Sequence, residues 1–292
     1  MDFFSYHPDF LTYIIAKGHS SSTATAYGGD ANCFRKFLKE NGLSSDVSEI
    51  DQRVIRRYIV WLKARKNKPN TMKRKLDSLS SFFNYLELED IIVKNPMGKV
   101  ERIKKQIIPR TFLREDEATR LIYVVDNWDI RNKVRNQAFF RVFLYTGLRV
   151  SEICAIDWSD IDFKNKTLAI KKAKGNKCRI VFLNDELCEH LWAYLQTRLP
   201  LINKALFFNR YNNRMRPKNA NKIIRQYTRK AGIDKYLTAH ILRHTFATIL
   251  VQKGVDIITI RDLLDHKDVS TTQIYTHSTE DRQRDALQQL QL

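Results

Sequence analysis

Tyr275 stands nine positions after His266, and both lie downstream of His240-Ile-Leu-Arg243 and of Arg149 in the stretch Thr146-Gly-Leu-Arg-Val-Ser-Glu152. Two guanidiniums, two imidazoles and a phenol in one chain could hold a phosphodiester and attack it without a metal. A phosphodiester resists attack because its own charge repels the nucleophile. Cleavage therefore needs cations on the nonbridging oxygens, a nucleophile, and an acid for the departing oxygen. Guanidiniums suit the first task, since arginine stays protonated and presents planar, paired donors to phosphate. Together the residues point to DNA strand cleavage.

Each piece alone has a plainer reading. An arginine near a helix start is often structural, a His-x-x-Arg spacing is often a surface pair, a histidine can cap a helix, and one tyrosine among twelve is by default a packing residue. The order and the joint presence of all five carry the argument. Thr146-Gly-Leu reads as a turn opening a helix that begins near Arg149, and Arg243 lies one helical turn after His240, on the same face.

The elements that must position these groups read as mainly helical. From about residue 8 to 93 four apolar-periodic stretches are separated by Gly18-His-Ser-Ser-Ser22, Asn41-Gly-Leu-Ser-Ser45 and Asn67-Lys-Pro-Asn70. Ser22 or Thr23 can cap the second helix, Ser48 precedes the third, and Asn70 or Thr71 precedes a fourth that carries Leu76, Leu79, Phe82, Phe83 and Leu86 on one face. Gly28-Gly29 is anomalous there. Two glycines in a helix interior cost roughly 1 kcal/mol each relative to alanine, so either the helix starts later or the backbone approaches something closely.

Asn95-Pro-Met-Gly98 breaks the helical pattern, and the basic stretch from Lys99 to Arg110 looks like an interdomain linker. This predicts a helical DNA-binding domain over 1–100, a linker over 101–110, and a second domain over 111–292. In the second domain, helices near Arg114 to Asn127 and through Phe139 to Leu144 precede a β segment. There Thr167-Leu-Ala-Ile170 and Arg179-Ile-Val-Phe-Leu183 flank Lys174-Gly-Asn-Lys177, a turn signal that predicts a hairpin. Helices resume near Asp185, and Asp281 to Leu292 reads as a polar tail helix. The fold class is thus mainly α with a small β-hairpin in the C-terminal domain.

Charge indicates the partner. The chain has 51 Lys and Arg against 32 Asp and Glu, a net +19, which favours a polyanion, nucleic acid first. Both halves are basic: residues 1–105 hold 19 basic and 12 acidic side chains (+7) and the rest hold 32 and 20 (+12). Between Asp51 and Asp77 there are ten Lys or Arg and no carboxylate, and the same holds between Glu189 and Asp234. From these windows and the hairpin turn, Lys66, Lys68, Lys73, Arg74, Lys75, Lys177, Arg214, Arg216, Lys218 and Arg225 are candidate DNA contacts, although a basic run can equally be a solvated helix face. Phosphate contacts of this kind make binding steeply salt-dependent and do not read out base sequence. Cys33, Cys154, Cys178 and Cys188 show neither metal-site nor disulfide spacing, so no metal or other cofactor is expected. Residues 10–16 are apolar but too short to span a bilayer, and a cytoplasmic location is expected.

At this point the chain resembles the tyrosine recombinases, the phage integrase-like family, most closely in its Xer-type and transposon- or phage-encoded branches. The resemblance rests on Thr-Gly-Leu-Arg149-Val-Ser-Glu152-Ile, Lys174-Gly-Asn-Lys-Cys-Arg, His240-Ile-Leu-Arg243-His-Thr-Phe-Ala-Thr and Leu-Leu-Asp-His266-Lys-Asp-Val-Ser-Thr-Thr-Gln-Ile-Tyr275-Thr-His277. Asn70-Thr-Met-Lys-Arg-Lys-Leu, Phe82-Phe-Asn-Tyr-Leu86 and Asn95-Pro96 extend it into a core-binding domain. It implies a two-domain DNA clamp in which Tyr275 is the nucleophile, forming a 3′-phosphotyrosyl link and freeing a 5′-hydroxyl. Arg149 and Arg243 would then clamp the scissile phosphate, His240 and His266 would donate to developing charge, Lys174 would protonate the leaving oxygen, and Glu152 would orient Arg149. It further implies site-specific recombination through a Holliday junction, by a homotetramer on two double-stranded sites coupled through the C-terminal tail, alone or with a partner recombinase or accessory protein. A monomeric type IB-like topoisomerase and a catalytically inactive accessory DNA-binding protein are the competing readings.

One position departs from the family. Glycine usually precedes the histidine at 266, and here the residue is Asp265. Asp tolerates the left-handed helix end that such a glycine suggests. A carboxylate aimed at the scissile phosphate would repel it, so the side chain is expected to face solvent.

Overall fold

The computed structural model describes residues 2–98, 100, 101, 103, 111–171, 178–209 and 211–265. The chain divides into two compact units, Met1–Ile108 and Pro109–Leu292.

The described residues of the first unit form four helices, α1 (Phe3–Ala16), α2 (Ser21–Glu40), α3 (Gln52–Ala64) and α4 (Pro69–Leu88). Its core is rich in aromatic rings: Phe3, Phe10, Phe34, Phe37, Tyr58, Phe82 and Phe83 are each at most 1% exposed. Their rings meet at tilted and edge-on angles, as between Phe3 and Phe82 at 4.4 Å and Phe34 and Tyr58 at 5.0 Å. The α4 stripe of Leu76, Leu79, Phe82, Phe83 and Leu86 is buried as its spacing predicts.

The helix starts differ from the sequence reading. Ser20 caps α2, accepting from the Thr23 N–H at 3.2 Å, where Ser22 or Thr23 was expected. Asp51, not Ser48, caps α3 by accepting from the Arg53 and Val54 N–H groups at 2.8 and 3.0 Å. Helix α4 begins at Pro69 with Lys68 as its cap, a residue or two before Asn70 and Thr71, because proline is pre-shaped for the first helical position. The Gly28-Gly29 pair meets neither expected explanation. Helix α2 runs straight through it, a Cβ at Gly28 would make only an ordinary contact with Leu11 at 3.9 Å, and one at Gly29 would meet nothing within 4 Å.

The second unit contains α5 (Glu115–Asn127), α6 (Lys133–Thr146), α7 (Val150–Ala155), β1 (Ile161–Asp162), β2 (Thr167–Lys171), β3 (Cys178–Phe182), α8 (Asp185–Gln196), α9 (Pro217–Lys230), α10 (Ala239–Gln252) and α11 (Ile257–Leu264). Helix α6 is the central element and packs on α5, α8 and α10. Its Phe139, Phe140 and Phe143 are fully buried. Its buried Arg141 donates to Asp126 of α5 at 3.0 Å through both terminal nitrogens and to Glu186 of α8 at 2.9 Å, which satisfies the charge it carries into the core.

The predicted hairpin is present, with Thr167 opposite Phe182 and Lys171 opposite Cys178, and β1 adds a third antiparallel strand. Leu168, Ile170 and Val181 point into the core. Strand β1 escapes a sequence reading because two residues carry no period. No helix among the described residues is long and apolar enough to cross a membrane.

Because Gly29 is exposed, helical and unopposed, Gly29→Ala removes a backbone-entropy penalty without cost in packing. It is expected to raise the unfolding free energy by about 0.5–1 kcal/mol, measured by chemical denaturation. A loss of stability would show that the glycine meets a constraint the helix does not reveal.

Candidate active site

Helix α6 ends at Gly147, whose φ of +59° is the left-handed conformation glycine adopts without penalty. Space enforces the same choice. A Cβ there would lie 2.4 Å from Cδ1 of Phe246 on α10 and 3.0 Å from Leu264 on α11. The reversal turns the chain immediately into α7, with Arg149 at its N-cap.

Arg243 sits in the buried stretch of α10 and is 3% exposed. Its Nη1 donates to the Gly147 carbonyl at 2.8 Å and its Nη2 to the Leu264 carbonyl at 2.6 Å. These carbonyls lie at the C-terminal ends of α6 and α11, where main-chain oxygens lack helical partners and the helix dipole is negative. One guanidinium therefore joins the segment leading to Arg149 with the segment leading to His266.

Arg149 reaches the same place from the exposed side. Its side chain is 43% exposed, and its Nη2 donates to the Asp265 carbonyl at 3.3 Å. Glu152, one turn on, holds it twice: Oε2 accepts the Arg149 main-chain N–H at 2.7 Å and Oε1 accepts Nη1 at 3.0 Å. Both oxygens of Glu152, the residue expected to orient Arg149, thus bond to that arginine. Arg179 on β3 also donates to Glu152, at 3.1 Å, a contact not anticipated from the sequence although Arg179 lies within the Lys174-Gly-Asn-Lys-Cys-Arg motif.

The expectation for Asp265 needs correcting. Asp265 does adopt the left-handed conformation, with φ 51° and ψ 46°. Its carboxylate does not turn away to solvent, however. Oδ2 lies 3.8 Å from Arg149 Nη1 and the side chain is 31% exposed. Attraction to an exposed guanidinium outweighs full hydration of the carboxylate.

His240 is exposed in the first turn of α10, one turn before Arg243 but at a different depth. Lys174, Lys177, His266 and Tyr275 lie outside the described residues. Cys154 on α7 is no competing nucleophile, since burial pushes its thiol up to about 11 against a smaller opposing effect of Arg214.

Among the described residues, the proposed DNA contacts separate into two groups. Lys66, Lys68, Arg216 and Lys218 are exposed. The others are engaged within the fold. Lys73 pairs with Asp77 at 2.6 Å, and Arg74 and Lys75 both pair with the buried Asp30. Arg214 donates to the carbonyls of Cys154, Ala155 and Ile156 at 2.9–3.2 Å and pairs with Asp157. Arg225 donates to the Tyr236 hydroxyl at 2.6 Å. The carboxylate-free windows in sequence are thus partly neutralised in space by acids from other segments.

Residues 111–282 match the phage integrase family, and residues 8–90 match the phage integrase N-terminal SAM-like domain. The tyrosine recombinase XerC of Pediococcus pentosaceus is 33% identical over 97% of this chain and 95% of its own length. The tyrosine recombinase XerD of Oceanobacillus iheyensis is 33% identical over 96% of each. Among solved structures, the XerA recombinase is 30% identical with a TM-score of 0.56, covering 100% of this chain and 99% of that one. The XerH recombinase bound to palindromic difH shares the fold, at 23% identity and a TM-score of 0.76 over 90% of this chain and 78% of that one.

The Asp265 carboxylate beside Arg149 would compete with any phosphate bound there, and glycine suits the left-handed position. Asp265→Gly is therefore expected to hold or raise affinity for duplex DNA, by up to about fivefold at low salt, in a fluorescence-anisotropy titration. Weaker binding by a normally folded variant would mean that the carboxylate supports the arginine rather than competing for it.

Proposed function

The chain belongs to the phage integrase family of tyrosine recombinases, enzymes that cleave and rejoin DNA, and we propose that it recombines two specific double-stranded sites through a 3′-phosphotyrosyl intermediate and a Holliday junction, as a homotetramer. The convergence of Arg149 and Arg243 on Leu264-Asp265, the two residues immediately before His266, carries this reading. It supports a phosphate site at the start of the segment that holds both the second imidazole and, nine residues on, the phenol.

In this mechanism Arg149 and Arg243 bind the nonbridging oxygens and stabilise the charge that gathers there during attack. His240 and His266 add donors. The Tyr275 oxygen loses its proton and bonds to phosphorus as the bond to the 5′-oxygen breaks, and Lys174 supplies the proton that this oxygen takes up. A 5′-hydroxyl from another strand then reverses the step, so the phosphotyrosyl bond conserves the energy for religation. Residues 1–100 form a core-binding domain, 101–110 a linker and 111–292 the catalytic domain. The match of the first unit to an integrase SAM-like domain and the positive charge of both halves support that division.

A nicked suicide duplex carrying the site selected from a random pool tests the chemistry. A covalent adduct is expected from the native chain and none from Tyr275→Phe. Absence of any adduct on a tightly bound site would identify an accessory binding protein, and relaxation of a plasmid without the site would identify a topoisomerase.

The tail is proposed to couple protomers. Deletion of residues 282–292 is expected to abolish cooperative assembly of two sites in a gel-shift titration while leaving single-site binding intact. Unchanged cooperativity would show that the tail docks on its own protomer.

A further inference from the structure

Arg179 lies on β3, outside the arginine pair assigned to the phosphate, and its guanidinium is nearly as buried as a core residue, with 13% of the side chain exposed. Burying a guanidinium is unfavourable unless an anion and hydrogen bonds compensate it. Nη2 has such an anion in Glu152 at 3.1 Å, whereas Nε and Nη1 are buried with no hydrogen-bond partner among the described residues. Simple stabilisation of the strand accounts poorly for a charge kept in this state, because an apolar side chain would fill the same position without unmet donors.

The partner explains the arrangement better. Glu152 is itself only 14% exposed, and its two oxygens take three donors: Arg149 Nη1 on Oε1, and the Arg149 main-chain N–H together with Arg179 Nη2 on Oε2. Without Arg179 the carboxylate would be held at Oε2 by the Arg149 main-chain N–H and at Oε1 only by an arginine side chain that is 43% exposed. A bond from the strand anchors it independently of Arg149, so the carboxylate can impose a rotamer on Arg149.

We propose that Arg179 is a positioning residue: through Glu152 it fixes the guanidinium of Arg149 for the scissile phosphate and makes the geometry of that arginine depend on β3. The strand is the one that follows Lys174 in the chain, so displacement of β3 would be felt at Arg149. The proposal rests on the reading of Arg149 as a phosphate ligand.

The test uses the full chain and the nicked suicide duplex, with three readouts: adduct formation in a single turnover at saturating protein, noncovalent affinity, and melting temperature. Arg179→Gln is expected to slow adduct formation by about tenfold while changing affinity by less than about twofold, a loss in rate rather than in binding. Arg179→Lys, which keeps a donor for Glu152, is expected to recover most of that loss. In a Glu152→Ala background, Arg179→Gln is expected to cost less than about twofold further, because two residues acting through one contact are not additive. Independent, multiplicative losses would overturn the proposal. So would rates that follow only the melting temperature, with Lys no better than Gln. An adduct that survives Tyr275→Phe would instead overturn the reading of the site beneath it, which keeps the two failures distinct.

Discussion

The architecture of the site depends on one buried cation. Arg243 is enclosed in α10, and its two terminal nitrogens donate to carbonyls at the ends of α6 and α11. A guanidinium deprived of water must find acceptors, and helix C-termini supply them at their negative ends. The arrangement constrains everything nearby. Gly147 must be glycine so that its carbonyl can face the arginine while Phe246 and Leu264 close over the turn. Arg149 starts α7 where that turn releases it, and Asp265 ends α11 where Arg149 meets it. The charge that organises the loops is also one of the two proposed to hold the phosphate, so fold and chemistry draw on the same group.

Around that cation, charge is arranged in balance rather than in excess. Glu152 offsets Arg149 and Arg179, and the Asp265 carboxylate lies beside the exposed face of Arg149. An incoming phosphate would exchange for Asp265, while Glu152, less exposed and better bonded, would stay. The departure from the family's glycine thus sets a carboxylate beside the proposed phosphate ligand, and the left-handed backbone conformation is preserved.

The sequence showed most where a period or a motif was long enough to exclude alternatives. The α4 stripe from Leu76 to Leu86 could bury only one way, and the turn residues between 174 and 177 announced the hairpin. Helix starts were harder to read, because Ser20, Ser22 and Thr23 all satisfy the chemistry of a cap and only backbone geometry selects among them. Long-range pairing was invisible. Arg74 and Lys75 looked uncompensated because the chain between Asp51 and Asp77 lacks carboxylates, yet Asp30 meets both from 44 and 45 residues away. The Arg179–Glu152 bond joins two quoted motifs 27 residues apart, and spacing alone could not show that they touch.

Arg149 and Arg243 are proposed to serve a covalent step on the phenol nine residues beyond His266. Proteolysis of the protein–DNA adduct, followed by mass spectrometry of the peptide that retains nucleotide, tests it most directly. Nucleotide is expected on Tyr275 through a 3′-phosphate, with the released strand ending in a 5′-hydroxyl. Attachment at any other residue, or through a 5′-phosphate, would contradict it.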